Sequence, residues 1–104
     1  MYDVIVIGAG VCGAAVCREL SKYRLKVLCL EKENDVADGT SKANSGIVHA
    51  GYDPEPGTKM ARFNVLGNEM IWKLSEELDI PAKKNGSLVV AFTEEDVKQI
   101  EKLY

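Results

Sequence analysis

The sequence predicts an α/β fold that opens with a βαβ unit, and three observations support this prediction. An apolar run at residues 4–7 is followed directly by a Gly-x-Gly-x-x-Gly motif at residues 8–13. A helical pattern comes next, and a second apolar run over residues 25–30 ends immediately before Glu31. A strand, this glycine spacing, a helix and an acidic residue about 20 positions on together indicate a Rossmann-like dinucleotide-binding unit.

The glycine motif is suited to a pyrophosphate group. Gly8 permits a tight turn out of the strand, Gly10 lets a phosphate approach the backbone, and Gly13 lets the helix pack close to the strand. The N-terminus of that helix presents unpaired N–H groups and a partial positive charge. A structural glycine turn in an ordinary βα unit is the alternative. The candidate cofactor-binding residues of this turn are Gly8, Ala9, Gly10, Val11, Cys12 and Gly13.

Glu31 follows the second predicted strand, where its carboxylate would accept hydrogen bonds from an adenosine ribose. A carboxylate there also repels a 2′-phosphate, so FAD or NAD is favoured over NADP. Lys32 is counted with Glu31 as a candidate, although a solvated side chain is the plainer interpretation of a lysine at this position.

Residues 38–52 form a stretch rich in hydroxyl, amide and glycine groups without helix or strand periodicity before Ile47. Such a composition predicts a loop. In a dinucleotide site this loop would lie beside the phosphates, with the Thr40 and Ser41 hydroxyls donating to phosphate oxygens. A flexible surface loop is the alternative.

The remainder of the chain predicts two helices and one strand. Apolar residues recur at helical spacing from Met60 to Leu78, and Ile80-Pro81 ends that helix. An Asn-Gly turn then leads into a predicted strand over residues 87–92. Thr93 opens the last helix with a pattern like a capping box.

Length and charge limit the function classes. At 104 residues the chain is short for a dinucleotide-binding domain with a substrate site, so we expect a fragment. A net charge of −3 without a basic run disfavours nucleic acid as a partner. The sequence contains neither a signal-peptide pattern nor an apolar run of the roughly 20 residues that span a membrane. We expect a cytoplasmic protein, with peripheral membrane docking left open.

Three cysteines, Cys12, Cys17 and Cys29, form no CxxC pair, which argues against a disulfide framework and a zinc site. We expect no metal. Cys12 is interpreted as a small apolar residue beside the turn, with a thiolate at the helix N-terminus as the alternative. Cys17 and Cys29 lie in the apolar patterns of the first helix and second strand, and are predicted to be in the core.

Several of these features together resemble a known family. The motif at residues 8–13, Glu31, Thr40-Ser41 and above all the segment 44–51 (Asn-Ser-Gly-Ile-Val-His-Ala-Gly) resemble FAD-dependent oxidoreductases of the D-amino-acid-oxidase-like superfamily. Within it, the chain is most similar to anaerobic-type glycerol-3-phosphate dehydrogenases and L-2-hydroxyglutarate dehydrogenases. The resemblance covers essentially the whole chain.

The resemblance implies FAD as the cofactor and a role for each matching residue. The glycine motif would bind the pyrophosphate and Glu31 the adenosine ribose, with Thr40 and Ser41 near the pyrophosphate. The polar segment that follows would run along the ribityl chain and flavin, and contributes Asn44, Ser45, Gly46 and Ile47.

His49 is the only histidine and the one catalytic candidate. In the related enzymes the corresponding segment runs beside the isoalloxazine ring, which implies that His49 orients or polarises the flavin or takes part in substrate proton transfer. A covalent flavin link is a further alternative. A histidine that only shapes the pocket is the plainest interpretation.

The family also implies the activity and the domain organisation. The chain would be the N-terminal FAD-binding portion (residues 1–82), with residues 83–104 starting an antiparallel substrate domain. The enzyme would oxidise glycerol-3-phosphate to dihydroxyacetone phosphate by hydride transfer to FAD; L-2-hydroxyglutarate is the alternative small hydroxy substrate. The electron acceptor, a quinone or a partner subunit, is left open. An NAD-binding dehydrogenase or a non-catalytic dinucleotide-binding module would also be consistent with the glycine motif.

Overall fold

The computed structural model describes residues 1–103, which contain two strands and three helices. In chain order they are β1 (Val4–Ile7), α1 (Val11–Leu20), β2 (Val27–Leu30), α2 (Lys59–Glu77) and α3 (Glu94–Leu103). Contacts divide the chain into two compact units, residues 1–46 and the residues from Ile47 onward. The predicted domain boundary near residue 82 is a different division and stays a prediction.

The first unit is the predicted βαβ unit. β1 and β2 pair in parallel, with Val4 opposite Val27 and Ile7 opposite Leu30, and α1 connects them. Beyond the last ladder pair, the Gly8 N–H donates to the Leu30 carbonyl at 2.7 Å. This bond carries the pairing into the glycine motif, so the motif begins at the carboxyl edge of the sheet, where ligands of such folds bind.

β2 begins two residues later than the sequence pattern predicts. The Leu25 N–H donates to the Tyr23 carbonyl, and the Lys26 N–H donates to Asp3 Oδ2 at 2.7 Å. The N–H groups of Leu25 and Lys26 are therefore used in a turn and a side-chain bond rather than in the ladder.

In the second unit, α2 begins at a side-chain cap. The Thr58 hydroxyl accepts from the Ala61 N–H at 3.2 Å and donates to the Glu55 carbonyl at 2.7 Å. These bonds satisfy one of the free N–H groups at the helix start.

α2 ends before the proline that the sequence suggests as its stop. Glu77 is the last helical residue, Asp79 has a left-handed φ of 53°, and the Ile80 N–H donates to the Ser75 carbonyl at 2.9 Å. A left-handed residue after the last turn ends the helix. The helix has therefore ended before the chain reaches Pro81.

The predicted strand over residues 87–92 is wrong for this structure, because residues 81–91 adopt no regular secondary structure. Leu88 and Phe92 are about nine-tenths exposed, at 92% and 89%. An extended segment becomes a strand only through a ladder partner, and in the range 1–103 only β1 and β2 are paired. The assignment of residues 83–104 to the start of an antiparallel substrate domain stays a prediction.

α3 begins with the predicted reciprocal cap. The Asp96 N–H donates to Thr93 Oγ1 at 3.2 Å, and Asp96 Oδ2 accepts from the Thr93 N–H at 2.9 Å. Aspartate takes the place of the usual glutamate or glutamine in this box. The Thr93 hydroxyl, followed by the Phe92 N–H, holds the pKa of Asp96 below its usual value.

Little apolar surface is covered within the described residues. Ala9 is the one buried apolar residue among them, while Ile7 is 86% exposed. The prediction that Cys29 lies in the core is wrong, since this residue is exposed; Cys17 is half-buried. β2 has only one neighbouring strand and one neighbouring helix among these residues, and this limited cover leaves Cys29 exposed. None of the helices in residues 1–103 is long and apolar enough to cross a bilayer.

Candidate functional site

The glycine turn, residues 8–13, joins β1 to α1. Gly8 has a φ of 96°, a backbone conformation that a residue with a side chain adopts only with strain. Gly10 is the N-cap residue of α1. A Cβ at Gly13 would lie 1.9 Å from the Gly8 carbonyl oxygen. The turn therefore closes on itself so tightly that position 13 accepts only glycine.

The Glu31 carboxylate is directed at this turn from the end of β2. Its Oε2 accepts from the Ala9 N–H at 2.7 Å, across 22 residues of sequence. Its Oε1 accepts from the N–H groups of Lys32 and Glu33 at 2.8 and 3.1 Å. Glu31 thus fixes the turn and the start of the following loop at the same time.

These hydrogen bonds stabilise the charged form of the carboxyl group. The Ala9 N–H, and after it the Glu33 N–H, holds the pKa of Glu31 below its usual value. Glu31 is consequently an acceptor at neutral pH, and an ionised carboxylate has lone pairs beyond those used here. A hydrogen bond from a ribose hydroxyl to the Glu31 carboxylate is compatible with the position of this side chain and stays a prediction.

Ser41 joins the polar loop to the start of α1. Its Oγ accepts from the Val11 N–H at 2.8 Å, across 30 residues of sequence. The Ala37 N–H also donates to the Ala9 carbonyl at 3.1 Å, with Ala37 itself at a φ of 60°. Two hydrogen bonds from residues 37–41 thereby hold the loop against the glycine turn.

The other predicted residues of the loop contribute unequally. Asn44 forms a local turn, since its Nδ2 donates to the Ser41 carbonyl and its Oδ1 accepts from the Gly46 N–H at 2.7 Å. Gly46 has a φ of 66°. Thr40 and Ser45 are exposed. Asn44 therefore shapes the backbone that follows Ser41.

Lys32 and Cys12 are peripheral to the hydrogen-bonded turn. The Lys32 side chain is 86% exposed and pairs with Glu33 at 3.0 Å, so its contribution to Glu31 is a backbone N–H. Cys12 is exposed in the first turn of α1.

Cys29, in β2, contacts the glycine turn, since its Sγ lies 4.0 Å from the Gly8 carbonyl oxygen. Partial desolvation, followed by the neighbouring Cys17 thiol, raises the pKa of Cys29, so its thiol is a weak nucleophile.

The geometry of the turn fits a bound pyrophosphate. Because the N-cap residue is Gly10, the cap itself supplies no side-chain hydrogen bond to the first turn of α1. A Cβ at Gly10 would lie 3.0 Å from Ser41 Oγ and would fill the space beside the helix N-terminus. N–H groups at such a helix end attract anions through their hydrogen bonds and the helix dipole.

The second unit contains His49 and Ile47, two further predicted site residues. Ile47 is exposed. His49 Nδ1 lies 3.2 Å from Asp53 Oδ2, and the His49 carbonyl accepts from Asn68 Nδ2 on α2 at 2.8 Å. Trp72 Nε1 in turn donates to Asn68 Oδ1 at 3.1 Å. His49 is therefore attached to α2 through its backbone and to Asp53 through its ring.

Gly51 brings the chain close to α2 just after His49. It has a φ of 106°, and a Cβ there would lie 2.7 Å from Val65 Cγ2 and 3.8 Å from Asn64 Oδ1. Asn64 Oδ1 is buried without a hydrogen-bond partner among the described residues. The segment His49–Asp53 thus lies on α2 with no room for a side chain at position 51.

Sequence reasoning missed the support of His49. The sequence pattern indicates only a turn at Asp53 and an amphipathic helix at Asn68 and Trp72. The available signal was the spacing of Asn64, Asn68 and Trp72, which at i, i+4 and i+8 places them on one helix face. No group of three or more His, Cys, Asp or Glu side chains in residues 1–103 is placed to share a metal ion.

Comparison with known proteins identifies the family. The family model described as "FAD dependent oxidoreductase" (DAO) matches residues 3–104. The chain is 54% identical, over all 104 residues, to a glycerol 3-phosphate dehydrogenase of Caloramator mitchellensis and covers 22% of that protein. It is 38% identical to the mitochondrial L-2-hydroxyglutarate dehydrogenase of Dictyostelium discoideum and covers 24% of it.

A solved structure shows the same fold. The dithionite-reduced L-alpha-glycerophosphate oxidase from Mycoplasma pneumoniae with FAD bound superposes with a TM-score of 0.87 at 42% identity. The match covers 98% of this chain and 27% of that one, so the chain spans about a quarter of the length of its relatives. The predicted superfamily is confirmed: the chain belongs to the DAO family of FAD-dependent oxidoreductases.

Proposed function

We propose that this chain is the N-terminal FAD-binding portion of a flavin-dependent dehydrogenase that oxidises glycerol-3-phosphate to dihydroxyacetone phosphate. The observation that carries the proposal is the open N-terminus of α1, where Gly10 leaves room for a phosphate and Ser41 contacts the adjoining N–H. The 54% identity to a glycerol 3-phosphate dehydrogenase supports the choice of substrate.

The residues of the first unit would hold the pyrophosphate and the adenosine. The α1 N–H groups would bind phosphate oxygens, and the Ser41 hydroxyl, whose oxygen accepts from Val11, keeps its proton for donation to the same anion. Glu31 would accept from the ribose while it holds the Ala9 N–H. Thr40, Asn44, Ser45, Gly46 and Ile47 would follow along the phosphates, ribityl chain and flavin.

When bound, FAD supplies the hydride acceptor for oxidation of a secondary alcohol. The chain's own contribution to the reaction is proton transfer and positioning. His49 would accept the substrate hydroxyl proton at a ring nitrogen as the carbon loses its hydride, because imidazole is the side chain best suited to proton transfer near neutral pH.

L-2-hydroxyglutarate is the second candidate substrate, supported by the 38% identity to the Dictyostelium discoideum enzyme. Both substrates are small secondary alcohols with an anionic group. The electron acceptor, a quinone or a partner subunit, is unassigned. A cytoplasmic location, with peripheral membrane docking as the alternative, belongs to the proposal and is tested by whether the full-length protein sediments with membranes.

Anaerobic titration of the full-length protein tests the substrate. Absorbance of the bound flavin near about 450 nm is followed as each candidate is added. We expect rapid bleaching by glycerol-3-phosphate. Bleaching by L-2-hydroxyglutarate alone would select the second candidate, and bleaching by neither would refute both.

The cofactor is tested separately. A yellow chromophore that is retained through purification and identified as FAD by mass spectrometry supports the flavin assignment. Retention of NAD instead would favour a nicotinamide-dependent dehydrogenase. A folded full-length protein that binds neither would favour a non-catalytic module.

A further inference from the structure

His49 is held by two contacts with different consequences. Asp53 contacts the imidazole ring, and Asn68 contacts the backbone carbonyl of the same residue. The His49 and Asp53 side chains are 55% and 54% exposed, so the pair contributes little to stability. The effect that this contact has is therefore on the orientation and tautomer of the His49 ring.

The chemistry of Asp53 determines which ring nitrogen carries hydrogen. An ionised carboxylate only accepts hydrogen bonds, and its Oδ2 lies 3.2 Å from Nδ1. Nδ1 must consequently be the N–H nitrogen, which leaves the lone pair of a neutral imidazole on Nε2. A proton taken by Nε2 would produce an imidazolium whose charge faces the Asp53 carboxylate.

The orientation of the Asn68 amide is determined in a similar way. The indole Nε1–H of Trp72 can only donate, so the amide atom it contacts at 3.1 Å must be oxygen. The Asn68 NH₂ group is then directed to the His49 carbonyl at 2.8 Å. Trp72 thus donates to Asn68, and Asn68 donates to the His49 carbonyl, so two hydrogen bonds in series attach the histidine backbone to α2.

We infer that Asp53 and Asn68 are positioning residues for His49: Asp53 leaves Nε2 as the proton-accepting nitrogen, and Asn68, oriented by Trp72, fixes the backbone that carries the ring. This inference rests on the proposed function of His49 in proton transfer. It adds the atom that takes the proton and the two residues that prepare it.

The test uses the FAD-free full-length protein and the reaction of His49 with diethylpyrocarbonate, measured by peptide mass spectrometry. In Asp53→Asn we expect the carbethoxylation rate of His49 to fall about threefold, because the exposed pair no longer selects one tautomer. Glu55→Gln, which removes a neighbouring carboxylate from the same exposed loop, is the matched control and should leave the rate unchanged.

A second pair of variants tests the attachment to α2. Asn68→Asp keeps an oxygen for Trp72 and removes the donor to His49. Hydrogen exchange of peptides covering residues 47–53 should accelerate about fivefold, as expected for the loss of one hydrogen bond. Trp72→Phe should give a smaller increase. Lys84→Met, which removes the cation–π contact over the same ring at 4.8 Å, should give none.

The positioning inference and the substrate proposal can be refuted separately. Unchanged carbethoxylation in Asp53→Asn together with unchanged exchange in Asn68→Asp would overturn the positioning inference, whatever the substrate. Slower carbethoxylation and faster exchange in a protein whose flavin no candidate substrate bleaches would support the positioning inference and refute the substrate proposal. In the active enzyme, Asp53→Asn should lower kcat and leave KM unchanged.

Discussion

The glycine turn and the His49 segment are built from different kinds of groups. The turn presents backbone N–H groups, and side chains distant in sequence, Glu31 and Ser41, hold that backbone in place. The His49 segment presents a side chain, and α2 holds it through Asn68 and the close contact at Gly51. A site made of backbone groups is therefore specified by glycine spacing, whereas the position of a single side chain depends on its neighbours.

The largest effect is expected from a substitution at Gly13 in the glycine turn. In Gly13→Ala the new Cβ would lie 1.9 Å from the Gly8 carbonyl oxygen, which is backbone and cannot rotate away. We expect a loss of about 3 kcal/mol in the free energy of unfolding, as for severe overpacking. FAD should be absent from the purified full-length protein, as measured by its absorbance spectrum.

Gly67→Ala is the matched control on α2, where nothing lies within 4 Å of the new Cβ. The same substitution should there raise the free energy of unfolding by about 1 kcal/mol through helix propensity. Destabilisation at position 67 would show that this face of α2 is covered in the full-length protein.

Gly51→Ala makes the corresponding change in the His49 segment. Both the φ of 106° and the 2.7 Å approach to Val65 Cγ2 oppose a side chain. We expect a loss of about 2 kcal/mol, measured by chemical denaturation. Gly57→Ala has the strained φ without a contact and should cost less. If Val65→Ala failed to restore part of the stability in a double-mutant cycle, the close contact would be excluded as the cause.

Removal of the α3 cap is expected to have a smaller effect. Thr93→Ala removes the acceptor of the Asp96 N–H and should cost about 1 kcal/mol of local stability. The measurement is hydrogen exchange of residues 94–103. Thr93→Ser retains the hydroxyl and should restore most of the protection, so equal exchange in the two variants would contradict the capping role.

Ser41→Ala examines the bond between the loop and the turn. The Val11 N–H loses its acceptor, at a cost of about 1 kcal/mol. The dissociation constant for FAD, measured by fluorescence titration of the full-length apoprotein, should rise about tenfold because a donor to the phosphate is lost as well. Ser87→Ala, at an exposed position outside the site, is the control. Equal affinities in the two variants would remove Ser41 from the cofactor site.

The smallest effect is expected from acid. The pKa of Glu31 is lowered in the folded protein, so its stabilising contribution is present above its unfolded-state value, about 4.3, and is lost as pH falls through the folded value. In Glu31→Gln the acid branch of FAD retention, measured by flavin fluorescence, should become flatter. An unchanged profile would assign the acid sensitivity to other carboxylates.

Sequence reasoning predicted the fold of the first unit well because local rules apply there, while the cofactor contacts of its residues stay predictions. The glycine spacing, the two apolar runs and Glu31 specify a turn whose geometry repeats among dinucleotide-binding folds. The resemblance to the family also singled out Ser41, and the structure places its hydroxyl on the Val11 N–H at the start of α1. The bond between Ala37 and Ala9 was not predictable, since neither residue carries a polar side chain.

The second unit was predicted less completely because its decisive contacts are tertiary. α2 was located because its apolar periodicity is long; it begins one residue before Met60 and ends at Glu77, before the Ile80-Pro81 stop that the sequence suggests. The predicted strand at residues 87–92 did not form, because local composition describes a preference for extension but supplies no partner. Asp53 gave no local signal of its contact with His49, and the signal from Asn68 was limited to its place on one helix face with Trp72.

The exposed segment at residues 87–92 affects the tendency of this chain to aggregate in the cell. Its sequence, Ser-Leu-Val-Val-Ala-Phe, has high β-propensity and contains neither charge nor proline, and Leu88 and Phe92 are almost fully exposed. Such a segment readily adds to the edge of another chain's sheet. Any form in which these residues are free, as a nascent chain or a proteolytic product, would aggregate or require a chaperone.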